Sequence, residues 1–137
     1  MWWIYALLAA FFAALTAIFA KVGVKGVDSD LATAIRTVVI LIIAWTIALV
    51  KGGAGSITTL SKQNIIFLVL SGIATGLSWI FYFRALQLGN VSQVAPVDKL
   101  SVALAIILSA LFLGETLTWK TAAGAILIIA GTLIIIK

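Results

Sequence analysis

Stretches without a formal charge divide this sequence into blocks: residues 1–20, 37–50, 63–83, 100–114 and 121–136, all dominated by aliphatic and aromatic side chains. A bilayer-spanning helix needs about 20 predominantly apolar residues. The first and third runs reach that length unaided. The others reach it by taking in flanking residues, which holds Arg36, Lys99 or Lys120 within about two turns of a helix end, where long cationic side chains can snorkel. Composition agrees, because only 9% of the residues are charged and 64% are hydrophobic, whereas soluble domains carry about 25% charged residues. Strands of a membrane barrel alternate apolar and polar residues, and runs such as Val38 to Ala44 or Ile126 to Ala130 do not. The pattern predicts an all-α membrane protein with transmembrane helices near 2–21, 31–50, 63–86, 94–113 and 118–136, in a single domain covering 1–137.

The segments between the runs carry helix breakers and caps. Lys51-Gly-Gly-Ala-Gly-Ser56 reads as a flexible turn, Gly26 to Asp30 as a short polar link, and Leu88-Gly-Asn90 and Leu113-Gly114 as helix C-caps. Asp30 or Ser29 is placed to cap the second helix, Ser61 the third, Ser92 the fourth and Thr118 the fifth. Trp2, Trp3, Tyr5 and Trp119 fall at predicted helix ends, where amphipathic rings favour the headgroup zone. The first span lacks a positive n-region and exceeds the usual apolar stretch of a signal peptide, so it is expected to belong to the mature protein.

Missing residue types exclude much chemistry. Without Cys or His there is no disulfide, thiol nucleophile, imidazole base or ordinary zinc site. The four carboxylates, Asp28, Asp30, Asp98 and Glu115, fall in three separate segments, which argues against a carboxylate metal site or an acid/base pair. No enzyme activity, metal or cofactor is expected. The net charge of +5 does not point to nucleic acid, because the nine Lys and Arg residues are scattered singly, as headgroup-facing cations are in a membrane protein.

The same cations choose an orientation only weakly. With five spans, the N-terminal side receives Lys51, Lys62 and Lys120, and the other receives Lys21, Lys25, Arg36, Arg84, Lys99 and Lys137. That is three against six, or three against four if Arg36 and Lys99 are counted as intramembrane. Either a single orientation with a cytoplasmic C-terminus or insertion both ways is compatible with so small a difference. Two oppositely inserted copies would form an inverted-repeat assembly.

Polar groups within the spans are the candidates for a substrate pathway. Arg36, Asp98 and Lys99 are charged, and a central charge costs about 2.5–3.5 kcal/mol on insertion scales, so such groups normally face protein or water. Asp98 and Lys99 project about 100° apart on a helix and are not expected to pair neatly. Asp98 follows Pro96 in an expected first helical turn, where it serves as a dipole partner; alternatively Pro96 opens the helix and Asp98 or Lys99 faces a polar cavity. Trp79, Tyr82 and Phe83 form an aromatic face ending near Arg84, read either as an interfacial belt or as a cavity wall. Gly72 and Gly76 form a G-x-x-x-G pair, Gly124 and Gly131 lie one heptad apart, and Ala6, Ala10, Ala13, Ala17 and Ala20 make a small-residue stripe. These surfaces suit helix packing within a protomer or between protomers.

Tyr82-Phe-Arg-Ala-Leu-Gln-Leu-Gly89, then Val94-Ala-Pro-Val97, then Leu113-Gly-Glu-Thr-Leu-Thr118, then Gly124 and Gly131, resemble in order and spacing the C-terminal four helices of an EamA domain of the drug/metabolite transporter superfamily. The resemblance extends to Trp3, Lys21 and Arg36. It implies one EamA-like inverted-repeat unit in a family whose typical members join two such domains in opposite orientation. Glu115 matches the Glu of the family's Gly-Glu turn, here Gly114-Glu115, and is read as structural, accepting from the first turn of the last helix. Pro96 matches a Pro near the family's central cavity.

The leading expectation is a secondary transporter or exporter of small organic metabolites or drugs in the cytoplasmic membrane. It would work by alternating access as an antiparallel pair with a second copy of itself, among membrane lipids. A lipid-linked sugar flippase subunit, with Arg36, Arg84 and Lys99 meeting a phosphate headgroup, and a noncatalytic membrane assembly subunit are the alternatives.

Overall fold

A computed structural model describes residues 1–136 and the backbone, but not the side chain, of Ala54. Lys137, one of the cations in the charge count, lies outside the described residues. The described residues are helical with no strand: α1 (Trp2–Gly23), α2 (Ser29–Val50), a short 3₁₀ segment (Gly53–Thr59), α3 (Lys62–Leu88), α4 (Val91–Asp98), α5 (Leu100–Phe112) and α6 (Trp119–Ile136). Taking α4 and α5 together, five helices are long and apolar enough to cross a membrane. Hydroxyls within these helices bond backward to carbonyls four residues earlier, as Thr33 does to Ser29, Thr37 to Thr33, Thr46 to Ile42 and Thr75 to Ser71. That pattern satisfies the only donor a threonine adds to a span.

Helix boundaries follow local chemistry, with several differences from expectation. The cap of α2 is Asp28, not Ser29 or Asp30: its backbone is extended and its carboxylate accepts from the N–H groups of Asp30 and Leu31, both at 3.0 Å. One acid thus satisfies two of the orphan donors of the first turn, and Ser29 becomes a buried helical residue. The fourth span starts at Val91, three residues earlier than expected, with Asn90 at the cap position and Ser92 inside the helix. That span is also two helices, interrupted at Lys99. Pro96 has no N–H for the Ser92 carbonyl, and the ladder closes with three-residue steps, Lys99 N–H to the Pro96 carbonyl at 3.1 Å and Val102 N–H to the Lys99 carbonyl at 3.0 Å. The other expected caps are present: Ser61 Oγ accepts from Asn64 N–H, and Thr118 Oγ1 from Thr121 N–H. Gly114 takes the left-handed conformation of a helix C-cap, φ +68°, whereas Gly89 is not among the glycines with positive φ.

Two compact units make up the chain. One is Phe19–Gln87, with the end of α1, all of α2 and nearly all of α3. Its buried residues, Ala20, Val24, Ser29, Thr33, Phe83 and Leu86, gather where α1 ends, α2 begins and α3 ends. Polar bonds hold this joint. Lys21 Nζ donates to the Leu86 carbonyl at 2.6 Å, and Gln87 Nε2 donates to the Val27 carbonyl at 2.6 Å and, more distantly, to that of Val24 at 3.5 Å. Leu86 lies in the last turn of α3, so its carbonyl has no partner within the helix, and a cation there also complements the helix dipole.

The other unit is Met1–Ile18 with Leu88–Lys137. Here α6 packs along both α4 and α5. Ala103 of α5 and Ala125 of α6 are buried, small side chains of the kind that let membrane helices approach closely. Thr132 of α6 is buried too, and its Oγ1 lies 2.8 Å from the Ile128 carbonyl and 3.2 Å from that of Pro96 in α4. The proline that disturbs α4 therefore has a neighbouring helix meeting its carbonyl.

Candidate functional site

The candidate site is built on α2 and α3 in the Phe19–Gln87 unit. On α2, Ser29, Thr33 and Arg36 fall at i, i+4 and i+7, one stripe of a helix. On α3, Trp79, Tyr82, Phe83 and Leu86 follow the i, i+3, i+4, i+7 spacing of a second stripe. The two stripes meet. The Arg36 guanidinium carbon lies over the Trp79 ring, 3.6 Å from its centroid, and 5.2 Å from the centroid of Phe83. Tyr82 and Phe83 stand edge to face at 6.5 Å. Phe83 is buried, Trp79, Tyr82 and Arg36 are half-buried, and the cation is about two turns inside α2.

Sequence spacing placed Arg84 at the end of the aromatic face; the cation over the rings is Arg36. Arg84, which follows Phe83 in the chain, is exposed, and the charge over the rings comes from α2. Consecutive residues on a helix diverge by about 100°, so Arg84 projects away from the face that Phe83 helps to build. An intramembrane guanidinium would otherwise cost about 2.5–3.5 kcal/mol, and a desolvated cation–π contact returns about 2 kcal/mol of that.

Asp98 and Lys99 occupy the interruption between α4 and α5. Contrary to the expectation from ideal helix geometry, they pair, with Lys99 Nζ 3.1 Å from Asp98 Oδ2. Asp98 is also the last residue of α4 rather than part of a first turn, because α4 begins at Val91. The interruption explains both: with ψ near zero at Lys99, the two side chains no longer follow regular helical spacing. Pro96 is half-buried and contacts Thr132 through its carbonyl. Nothing in the sequence announced Thr132 as a partner beyond its being a lone hydroxyl residue in the apolar second half of α6.

Glu115 sits in the turn between α5 and α6, where its backbone N–H and that of Leu113 both donate to the Ser109 carbonyl. Glu115 lines a cavity together with Ile106, Ser109, Thr116, Leu117 and Thr121. One N–H of the first turn of α6, that of Thr121, donates to Thr118 Oγ1. At Gly72, Gly76, Gly124 and Gly131 an added Cβ would meet no atom within 4 Å, so these positions present bare helix surface. No cluster of carboxylates able to hold a metal occurs among the described residues.

Residues 1–137 match the EamA-like transporter family. The chain is also 49% identical over 134 residues to an uncharacterized transporter in the cobO 3′ region of a Sinorhizobium species, a match covering 98% of this chain and 95% of that one. No solved structure matches it. Five apolar helices of spanning length and a sequence match running from residue 1 to 137 lead to one assignment: the chain belongs to the EamA-like transporter family.

Proposed function

We propose that this multi-pass membrane transporter is one half of a secondary transporter or exporter of small organic metabolites or drugs, working in the cytoplasmic membrane as an antiparallel homodimer with alternating access. The observation that carries the reading is how little of the protomer's spanning surface is covered. In the most apolar stretch of each span, at most 11% of residues are buried, and the glycine faces on α3 and α6 are bare. A lipid tail is as apolar as Leu, so small-residue surfaces gain most from close packing against another helix, which in this reading belongs to the second copy. An odd span count and a weak charge bias support the inverted arrangement.

In this reading each unit carries pathway residues of its own: Arg36, Trp79, Tyr82, Phe83 and Arg84 in the Phe19–Gln87 unit, and Pro96, Asp98 and Lys99 in the other. On the same reading Asp98, paired with Lys99 at 3.1 Å, is the carboxylate available for ion coupling. Single Cys residues introduced at Gly76 and Gly131 test the arrangement, since the chain has no other Cys. The antiparallel reading expects cross-links together with a reporter at the C-terminus detected in both compartments. Parallel-only cross-links and a single reporter compartment contradict it. For coupling, Asp98→Asn is expected to flatten the pH dependence of uptake into proteoliposomes, and an unchanged profile removes Asp98 from that role.

A further inference from the structure

The chemistry left open at Arg36 carries one step more. A guanidinium has a face and an edge: the face stacks on aromatic rings, and the edge carries five N–H donors in a planar fork. Trp79 occupies the face at 3.6 Å, with Phe83 beside it. Among the described residues, no carboxylate lies within ion-pair distance of Arg36 and no hydrogen bond leaves its guanidinium, the ion pair present being Lys99 with Asp98. The nearest acids in sequence are otherwise placed, Asp28 accepting from the first-turn N–H groups of α2 and Asp30 lying in that turn. A charge within a span normally has a counter-charge or water. Arg36 is oriented by its rings and lacks the counter-charge.

We infer that Arg36, held on Trp79, is an oxyanion-binding group that takes the carboxylate or phosphate of the transported molecule through its N–H edge. This assignment rests on the transporter reading and names the substrate class for it. An oxyanion supplies what the site lacks, two acceptor oxygens matching the fork and one negative charge. Stacking fixes the guanidinium plane beforehand, so less side-chain freedom is lost on binding than for a mobile cation. A phosphate on a lipid headgroup offers the same oxygens as a water-soluble phosphate or carboxylate, and the experiment separates these sources.

The full chain, purified in a nonionic detergent, is titrated with inorganic phosphate, benzoate and a short-chain phosphatidylglycerol at matched ionic strength, with tetraethylammonium chloride as the cationic control, and its melting temperature is read. The expected result is a saturable rise with at least one of the three anions. Arg36→Gln abolishes it, Arg36→Lys weakens the apparent affinity at least tenfold because an ammonium has no fork, and Lys51→Gln leaves it unchanged. Saturation by benzoate or phosphate identifies a soluble anion; saturation by phosphatidylglycerol alone identifies a headgroup, and both support the assignment. If Arg36→Gln does not fold, Arg36→Lys and Trp79→Leu carry the comparison. No saturable shift with any anion, or a shift that these variants leave intact, overturns it. Proteoliposome uptake separates the two readings: a neutral or cationic solute moved at the same rate by Arg36→Gln overturns the anion assignment while the transporter reading stands. Arg36-dependent anion binding in a protein that moves no solute upholds the site and defeats the transporter reading.

Discussion

At the scale of single residues, Arg36, Lys21, Gln87 and Thr132 are held by partners from other segments of the chain, and those partners decide which substitutions are costly. Trp79 carries the Arg36 guanidinium, whereas Trp45 is exposed. Trp79→Leu is therefore expected to lower stability by about 2 kcal/mol more than Trp45→Leu, read as thermal unfolding in detergent. Gln87→Leu leaves the Val27 carbonyl without its 2.6 Å donor and is expected to cost about 1–3 kcal/mol in the same measurement. The presence of an aromatic face and of an intramembrane arginine was legible in the sequence. Their meeting was not, because a stripe on α2 and a stripe on α3 declare their own periodicity and say nothing about which neighbour each will face. The same holds for Lys21 with Leu86 and for Thr132 with Pro96, where the acceptor is a backbone carbonyl and so leaves no mark in the sequence.

At the scale of elements, apolar runs located the spans, and local hydrogen bonding moved their ends. The fourth helix departs from the expected 94–113 with a cap at Ser92: Asn90 caps α4 ahead of Val91, and Pro96 lies inside it, three residues before the interruption at Lys99. Pro96→Ala restores the N–H that can donate to the Ser92 carbonyl. It is expected to slow amide exchange at residues 99–102 and to reduce the transport rate, if the interruption has a part in the cycle. Gly114 supplies a second test of element ends. Its φ of +68° disfavours any Cβ although space is open around it, so Gly114→Ala should cost about 1–2 kcal/mol in thermal unfolding.

At the scale of the whole molecule, the spans expose surface that a bilayer can cover and that a second copy covers better where side chains are small. Gly76→Ala and Gly131→Ala should act with opposite signs on two measurements. Each removes a helical glycine, so protomer stability is expected to hold or rise by up to about 1 kcal/mol, while self-association in lipid weakens as the helix surfaces are pushed apart. Equal association for the glycine and alanine forms would move the contact elsewhere. The bond from Lys21 to the Leu86 carbonyl also bears on how the chain is made. Its acceptor is synthesised 65 residues after its donor, so α1 and α2 emerge from the ribosome before the clasp that joins α1 to α3 can close. Until the clasp closes, the Lys21 charge stands at the end of the first helix, where it can influence which way that helix enters.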